Sequence, residues 1–121
     1  MTPAKYLSKL AKEYFRTIEA ILKERGDDRE EFSMELSQLA NEFSKYHMAV
    51  EDQNENGLYV TFKTGHQQIG PWITIQKESR NVIDKLGSKF GLNPSDFEKL
   101  KGKVVSQEAA KTPLEQLIAG D

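Results

Sequence analysis

The chain contains no cysteine, only two histidines and no long apolar run within its 121 residues. Without cysteine it forms no disulfide and no thiolate metal site, which suits a reducing compartment, so we expect a cytoplasmic protein. Its first residues interleave lysines with apolar side chains and lack the apolar core of a signal peptide. No later segment approaches the ~20 apolar residues that a membrane span needs. Secretion and membrane insertion are therefore disfavoured, and no membrane partner is expected.

The sequence also lacks the usual signatures of an enzyme. No glycine-rich run ends in Gly-Lys-Ser or Gly-Lys-Thr, and the serines have no identifiable base partner. His47 flanks an apolar stripe and is interpreted as structural, because a lone imidazole without clustered ligands seldom binds metal. His66 lies in a polar turn, where it either hydrogen-bonds a phosphate or simply contacts water. The sequence therefore predicts a protein without catalytic residues, cofactor or metal.

The charged residues are distributed in blocks, although the net charge is only −2. Residues 1–25 carry six Lys and Arg against three acids, and residues 26–56 carry two against nine. Residues 57–103 carry eight against four, and residues 104–121 carry one against three. Such a balance argues against a protein that coats nucleic acid over its whole surface. The two basic blocks are therefore the candidates for contact with phosphate groups.

Two apolar stripes, each with the alternating four-three spacing of a helix–helix seam, predict an antiparallel helical hairpin over residues 3–50. Thr2 and Pro3 are predicted to start the first helix, which ends near Gly26. Asp27 or Asp28 is predicted to cap the second. The seam residues that are candidates for oligomerisation are Leu7, Tyr14, Ile18, Phe32, Leu36, Leu39, Phe43 and Tyr46. These seams close either within one chain or between chains.

After a polar turn at residues 51–57, the sequence predicts a short β segment over 57–69, whose first strand pairs with residues 67–69 or with another subunit. A helix-turn-helix block over 70–102 follows. Pro71 is predicted to start its first helix and Gly91 to end it. Asn93 is predicted to cap the second helix, with Asp96, three residues later, as its reciprocal capping partner. The predicted fold class is mainly α, with one domain over residues 1–103 and a mobile C-terminal arm over 104–121.

The segment from Thr64 to Gly102 resembles the small terminase subunits of tailed double-stranded DNA phages. The resemblance is carried by the helix start at Gly70-Pro71, the run Phe90-Gly91-Leu92-Asn93-Pro94-Ser95, and Leu100, in that order and spacing. Phe97 stands where members of this family often have a basic residue, which argues against contact between residue 97 and nucleic acid. The resemblance implies a non-enzymatic component of the viral genome-packaging motor, located in the cytoplasm of the host cell.

The partners implied by the resemblance are double-stranded DNA, further copies of the chain in a ring, and the large terminase subunit that carries the ATPase and nuclease. Candidate DNA-binding residues are Lys5, Lys9, Lys12, Arg16, Lys77, Arg80, Lys99, Lys101 and Lys103. Those on the first helix form one line, which faces solvent, DNA or the acidic second helix of a neighbour. In the arm, a cap-proline sequence precedes the residues predicted to dock on the large subunit, which are Leu114, Leu117 and Ile118.

An alternative hypothesis is a small helical DNA-binding regulator that acts as a dimer. A regulator of this kind binds one short duplex sequence-specifically, whereas the packaging hypothesis predicts a ring of many subunits with weak, salt-sensitive binding. The predicted second helix of the helix-turn-helix block has only about two turns, and base-reading helices place several side chains against base edges. This shortness favours the packaging hypothesis.

Overall fold

Three long helices and a two-stranded sheet make up the computed structural model, which describes residues 1–93 and 95–100. The elements in chain order are α1 (Lys9–Glu24), a 3₁₀ turn (Glu30–Phe32), α2 (Ser33–Asn56), β1 (Tyr59–Thr61), β2 (Gln67–Ile69) and α3 (Pro71–Lys89). Residues 95–100 are also helical and are called the short helix. The predicted mainly α fold class is confirmed. Over the described residues, no helix is both long and apolar enough to cross a membrane.

Helix α1 begins at Lys9, so the predicted start at Pro3 was wrong. The Ser8 hydroxyl caps the helix by accepting a hydrogen bond from the Ala11 N–H at 3.2 Å. The preceding segment contacts α2 instead, because the Ala4 N–H donates to the Ser37 hydroxyl at 3.0 Å. These contacts hold the segment in a non-helical path, and Lys5 therefore lies outside the helix on which it was predicted.

The start of α2 also differs from the prediction. Neither Asp27 nor Asp28 caps it, because the 3₁₀ turn Glu30–Phe32 comes between them and the first residue of the helix, Ser33. That turn closes through a hydrogen bond from the Phe32 N–H to the Arg29 carbonyl at 3.0 Å. The connection between the two helices is consequently longer than expected.

At its other end, α2 continues through the predicted polar turn and reaches Asn56. It stops at Gly57, whose φ of 80° lies in the left-handed region that favours glycine. The extension is held by α3, since the Gln76 side-chain amide donates to the Gln53 side-chain oxygen at 2.7 Å. Gln76 also donates to the Ala49 carbonyl at 3.3 Å. The polar composition of residues 51–57 led to the prediction that α2 ends too early, because the contact that stabilises its last turns comes from a distant residue.

Strands β1 and β2 form an antiparallel hairpin, which gives the first strand a partner from its own chain. Tyr59 lies opposite Ile69, and Thr61 lies opposite Gln67. Between the strands the chain reverses through Gly65, whose φ is 86°. Of the two pairings left open by the sequence, the pairing with residues 67–69 is the one formed.

The end of α3 confirms the predicted helix-turn-helix corner. Pro71 occupies the first helical position, and Gly91 follows the helix with a φ of 69°. Asn93 and Asp96 then cap one another: the Asp96 N–H donates to Asn93 Oδ1 at 2.9 Å, and the Asn93 N–H donates to Asp96 Oδ2 at 3.0 Å. This reciprocal pair positions the short helix at the end of α3.

The core lies between α2 and the two helices that pack against it, α1 and α3. The short helix contributes Leu100 to the same core. Tyr14 of α1 stacks on Phe43 of α2 with ring centroids 5.3 Å apart. The buried members of this core are Leu7, Ala11, Tyr14, Phe15, Ile18, Leu22, Leu36, Leu39, Ala40, Phe43, Ile83, Leu92 and Leu100. Six of the eight residues predicted to mediate oligomerisation belong to it, while Phe32 and Tyr46 are half-buried. The seams therefore close within the described chain, where the six buried side chains are covered by their own helices.

Candidate nucleic-acid interface

The exposed side of α1 carries a line of cations. Lys9, Lys12, Arg16 and Lys23 are all exposed, and at 100° per residue they fall within a sector of about 60°. We call these four residues the helix-one basic line. The line forms because the buried residues of α1 occupy the opposite side of the helix, so the prediction that it lies away from the apolar seam is confirmed for these positions.

The members of the helix-one basic line differ in how their charge is compensated. Arg16 lies 3.5 Å from a carboxylate oxygen of Glu19, one turn further along α1. Across residues 1–93 and 95–100, no acid forms an ion pair with Lys9 or Lys12. Because an exposed ammonium group is a compact, mobile donor, these two lysines are suited to contact phosphate oxygens.

The second predicted basic set lies on α3 and the short helix. Lys77, Arg80 and Lys99 are all exposed, and Arg80 in addition makes contacts within the chain. Its Nε lies 3.2 Å from Asp84 Oδ1, and its guanidinium lies over the Phe97 ring at 5.8 Å from the ring centroid. Lys101 and Lys103 lie outside the described residues. Arg80 is thus exposed but already has an acidic partner, which makes it a weaker candidate for DNA contact than Lys77.

These two basic sets occupy different helices. Both α1 and α3 pack against α2, and the described contacts do not join Lys9 or Lys12 to Lys77 or Lys99 in one cluster. The acidic residues of α2 include Glu51, Asp52 and Glu55, which are exposed. The two basic sets are therefore treated as separate candidates for contact with DNA.

Arg25 fixes the helix-turn-helix corner against the end of α1. Its Nη2 donates to Asp96 Oδ1 at 2.8 Å, and its Nη1 donates to the Gly91 carbonyl at 3.2 Å. The Asn93 N–H and then the Arg25 guanidinium lower the pKa of Asp96, because both stabilise its charged form. The cap at Asp96 is predictable from the sequence, whereas the role of Arg25 is not, since no local pattern signals a contact between residues 71 positions apart.

Phe97, the residue that departs from the basic residue common in the resembled family, packs against α2. Its ring centroid lies 5.6 Å from that of Phe43 in α2. Gly87 of α3 permits this approach, because a Cβ added there would lie 2.6 Å from Phe97 Cζ. One side of the short helix is therefore used for packing, and Glu98 and Lys99 are its exposed charges.

A cavity of about 440 Å³ lies between α2, α3 and the short helix, and His47 is on its wall. The Tyr14 hydroxyl lies 2.8 Å from His47 Nδ1, and His47 Nε2 lies 2.9 Å from Glu51 Oε1. This arrangement ties α1 to α2 and agrees with the structural interpretation of His47. His66, by contrast, is exposed in the hairpin turn and stacks on Phe62 at 6.1 Å between ring centroids.

The arm residues predicted to dock on a partner, Leu114, Leu117 and Ile118, lie outside the described residues. A family model described as phage terminase, small subunit, matches residues 11–107. The matched segment runs from the first turn of α1 past the short helix. No curated protein and no solved structure matches the chain.

Proposed function

Because the chain belongs to the phage terminase small-subunit family, we propose that it is a ring-forming, DNA-binding component of viral genome packaging. In this role it has no catalytic activity of its own. It gathers on the viral DNA in the cytoplasm of the host cell and regulates the large subunit that cuts and translocates that DNA. The exposed helix-one basic line is the observation that supports DNA binding most directly.

Lys9 and Lys12 are the central DNA contacts in this proposal. They are exposed, lie close together on one side of α1, and have no acidic partner among the described residues. A single chain with so few phosphate contacts binds DNA weakly, and salt weakens the binding further. A ring presents the same contacts many times, so that their combined affinity greatly exceeds that of one chain.

The short helix contributes little to reading the DNA sequence in this proposal. Phe97 and the buried Asp96 are engaged in packing and capping, which leaves few side chains to reach base edges. Contacts to phosphate position a protein on DNA without specifying sequence. We therefore expect similar affinity for unrelated duplexes of equal length.

Docking on the large subunit is assigned to the arm over residues 104–121. Leu114, Leu117 and Ile118 supply its apolar side chains, and Pro113 follows a capping residue, so an amphipathic turn can form on a partner surface. The large subunit supplies the ATPase and nuclease activities.

A salt titration of DNA binding tests the proposed DNA interface. Binding of the Lys9→Gln/Lys12→Gln variant to fluorescent duplexes is compared with wild type, with Lys85→Gln as a control on the exposed side of α3. Each lost phosphate contact reduces the slope of log affinity against log salt by about 0.9. We expect the double variant to bind all duplexes more weakly with a smaller slope, and the control to match wild type. Unchanged binding by the double variant would assign DNA contact to another surface.

The alternative function, a dimeric DNA-binding regulator, predicts a different outcome of the same titration. A regulator binds one short sequence far more tightly than unrelated duplexes, typically by 10³-fold or more, and retains that preference as salt rises. Competition among duplexes of different sequence separates the two hypotheses. A marked preference for one short site would favour the regulator.

A further inference from the structure

The β-hairpin presents an apolar surface that nothing in the described part of the chain covers. Leu58, Tyr59, Phe62 and Ile69 are 52%, 54%, 46% and 62% exposed, respectively. We call these four residues the hairpin knob. Large apolar side chains at this level of exposure, concentrated in one short element, are typical of an interaction surface.

The two faces of the hairpin divide these side chains into pairs. Tyr59 and Ile69 lie directly opposite each other in the register, so they share one face. Leu58 and Phe62 alternate with Tyr59 along the chain and project towards the other face. An isolated two-stranded hairpin is marginally stable in water, since it has no layer against which to pack. Contact with another surface would therefore stabilise this element.

A groove of about 440 Å³ between α2 and α3 forms a second apolar surface, which no residue among 1–93 and 95–100 covers. We call it the α2/α3 groove, and its floor consists of Met48, Ala49, Ile75, Ser79 and Val82. Met48, Ile75 and Val82 are 55%, 40% and 37% exposed. The groove lies on the side of the helix pair away from the core, because Ile83 and Phe43 of the same helices face the core. It is thus open to a partner.

The charges around the two surfaces are complementary. The hairpin from Gly57 to Gly70 contains one basic residue, Lys63, and no acidic residue. On the groove rim, Glu42 pairs with Lys45 at 3.2 Å, which leaves Asp52 and Glu78 without an ion pair among the described residues. A basic element and an acidic rim favour encounter in one orientation.

We propose that one face of the hairpin knob of one copy of this chain, formed by Tyr59 and Ile69, occupies the α2/α3 groove of the next copy, where it contacts Val82 and Ile75. The hairpin does not reach the groove of its own chain, since its knob residues remain exposed beside the end of their own helix pair. Contact between two different surfaces of identical chains is head-to-tail, and repetition of such a contact builds a ring when the rotation between successive copies closes and a filament when it does not. The inference rests on the proposed function and identifies the surfaces that would build the ring.

This assignment differs from the predicted oligomerisation residues. Side chains such as Leu36, Leu39 and Ile18 are fully buried inside one chain, so a ring formed by folded chains needs other apolar contacts. The hairpin knob and the α2/α3 groove supply them without opening the core.

Cross-linking between two single-cysteine variants tests this interface, because the chain has no cysteine of its own. Ile69→Cys and Val82→Cys chains carrying different tags are co-expressed and treated with a short bis-maleimide. We expect a cross-linked pair that contains both tags, and no cross-linked pair when either variant is expressed alone. Ile69→Cys combined with Glu24→Cys, an exposed position on α1, is the matched control and should not cross-link.

The outcomes separate this inference from the proposed function. Cross-linking of Ile69→Cys chains to each other would show that hairpins meet hairpins, and would overturn the head-to-tail contact. An assembled ring in which Ile69→Cys and Val82→Cys fail to cross-link would overturn the inference and leave the ring-forming function intact. A wild-type chain that never assembles would instead contradict the proposed function itself. Val82→Glu provides a second measurement: it should reduce assembly while its circular dichroism remains helical, and unchanged assembly would overturn the inference.

Discussion

Arg25 Nη2 and Asp96 Oδ1 lie 2.8 Å apart and join the end of α1 to the start of the short helix. The same carboxylate accepts a hydrogen bond from the Asn93 N–H, so one side chain serves both a helix cap and a contact between distant segments. Arg25 also reaches the Gly91 carbonyl. The helix-turn-helix corner is consequently fixed to the long hairpin rather than attached through α3 alone.

Replacement of Asp96 by alanine should destabilise the fold. Asp96→Ala removes the acceptor for both the Asn93 N–H and Arg25, and each lost hydrogen bond costs about 0.5–1.5 kcal/mol. We expect a decrease of about 1–2 kcal/mol in the free energy of unfolding, measured by urea denaturation at fixed protein concentration.

Asp84→Ala is the control for this variant, because Asp84 also pairs with an arginine but is exposed. Exposed ion pairs contribute about 0–1 kcal/mol, so the control should remain close to wild type. Equal losses in the two variants would contradict the role assigned to Asp96.

The contribution of Asp96 should depend on pH in the acidic range. Its pKa in the folded chain is below the ordinary value of 3.8, so the charged form is favoured by folding. The stabilisation is therefore fully present above the ordinary value and is lost as pH falls through the lower folded pKa. The difference in unfolding free energy between wild type and Asp96→Asn should shrink between about pH 6 and about pH 2. A difference that stays constant over this range would rule out this titration as a source of acid sensitivity.

Gly87 is expected to tolerate no side chain. Alanine is intrinsically a better helix former than glycine by about 1 kcal/mol, yet its Cβ would lie 2.6 Å from Phe97 Cζ. To make room, the ring would have to shift out of its contacts with Phe43 and Arg80. Overpacking of this kind typically costs about 1–3 kcal/mol, and Gly87→Ala should lower the thermal midpoint.

Asn81→Ala gives the matched control, since Asn81 is an exposed position on the same helix and should be neutral or slightly stabilised. In addition, Gly87→Ala and Phe97→Leu together should destabilise less than the sum of the separate effects. Strict additivity would mean that the two residues do not compete for space.

Deletion of residues 104–121 should leave assembly intact and weaken stimulation of the large subunit. The deleted segment contains the proposed docking residues, whereas the described core and the hairpin knob remain. The measurement is the DNA-dependent ATPase activity of the large subunit with each form of the small subunit. A full-length variant with Leu114, Leu117 and Ile118 changed to serine should reproduce the loss. If the truncated chain stopped assembling, the docking role of the arm would be wrong.

Local signals in the sequence predicted the corner of this fold well. Proline at position 71, glycine at position 91 and the pair Asn93 and Asp96 act through neighbouring backbone groups, so their effects are readable from spacing alone. The seam residues were also identified correctly as apolar contacts. Whether seams close within or between chains depends on the distances among separate helices, which the sequence does not contain.

The errors arose where distant contacts outweighed local preference. Ser8 caps α1 in place of the expected Thr2, because Ala4 is held by Ser37. Gln76 supports the end of α2, where polarity had predicted a turn. The candidate site shows the same difference between local and distant contacts. The helix-one basic line was predictable from helical periodicity, but the contact between Arg80 and Phe97 is visible only in the folded chain.

Assembly into a ring is the central claim, and light scattering on a sizing column tests it most directly. We expect a single species whose mass corresponds to several copies of the 13.8 kDa chain and which persists as the protein is diluted. The head-to-tail contact between the hairpin knob and the α2/α3 groove leads to this closed species. A chain that remains monomeric or dimeric at high concentration would contradict the account.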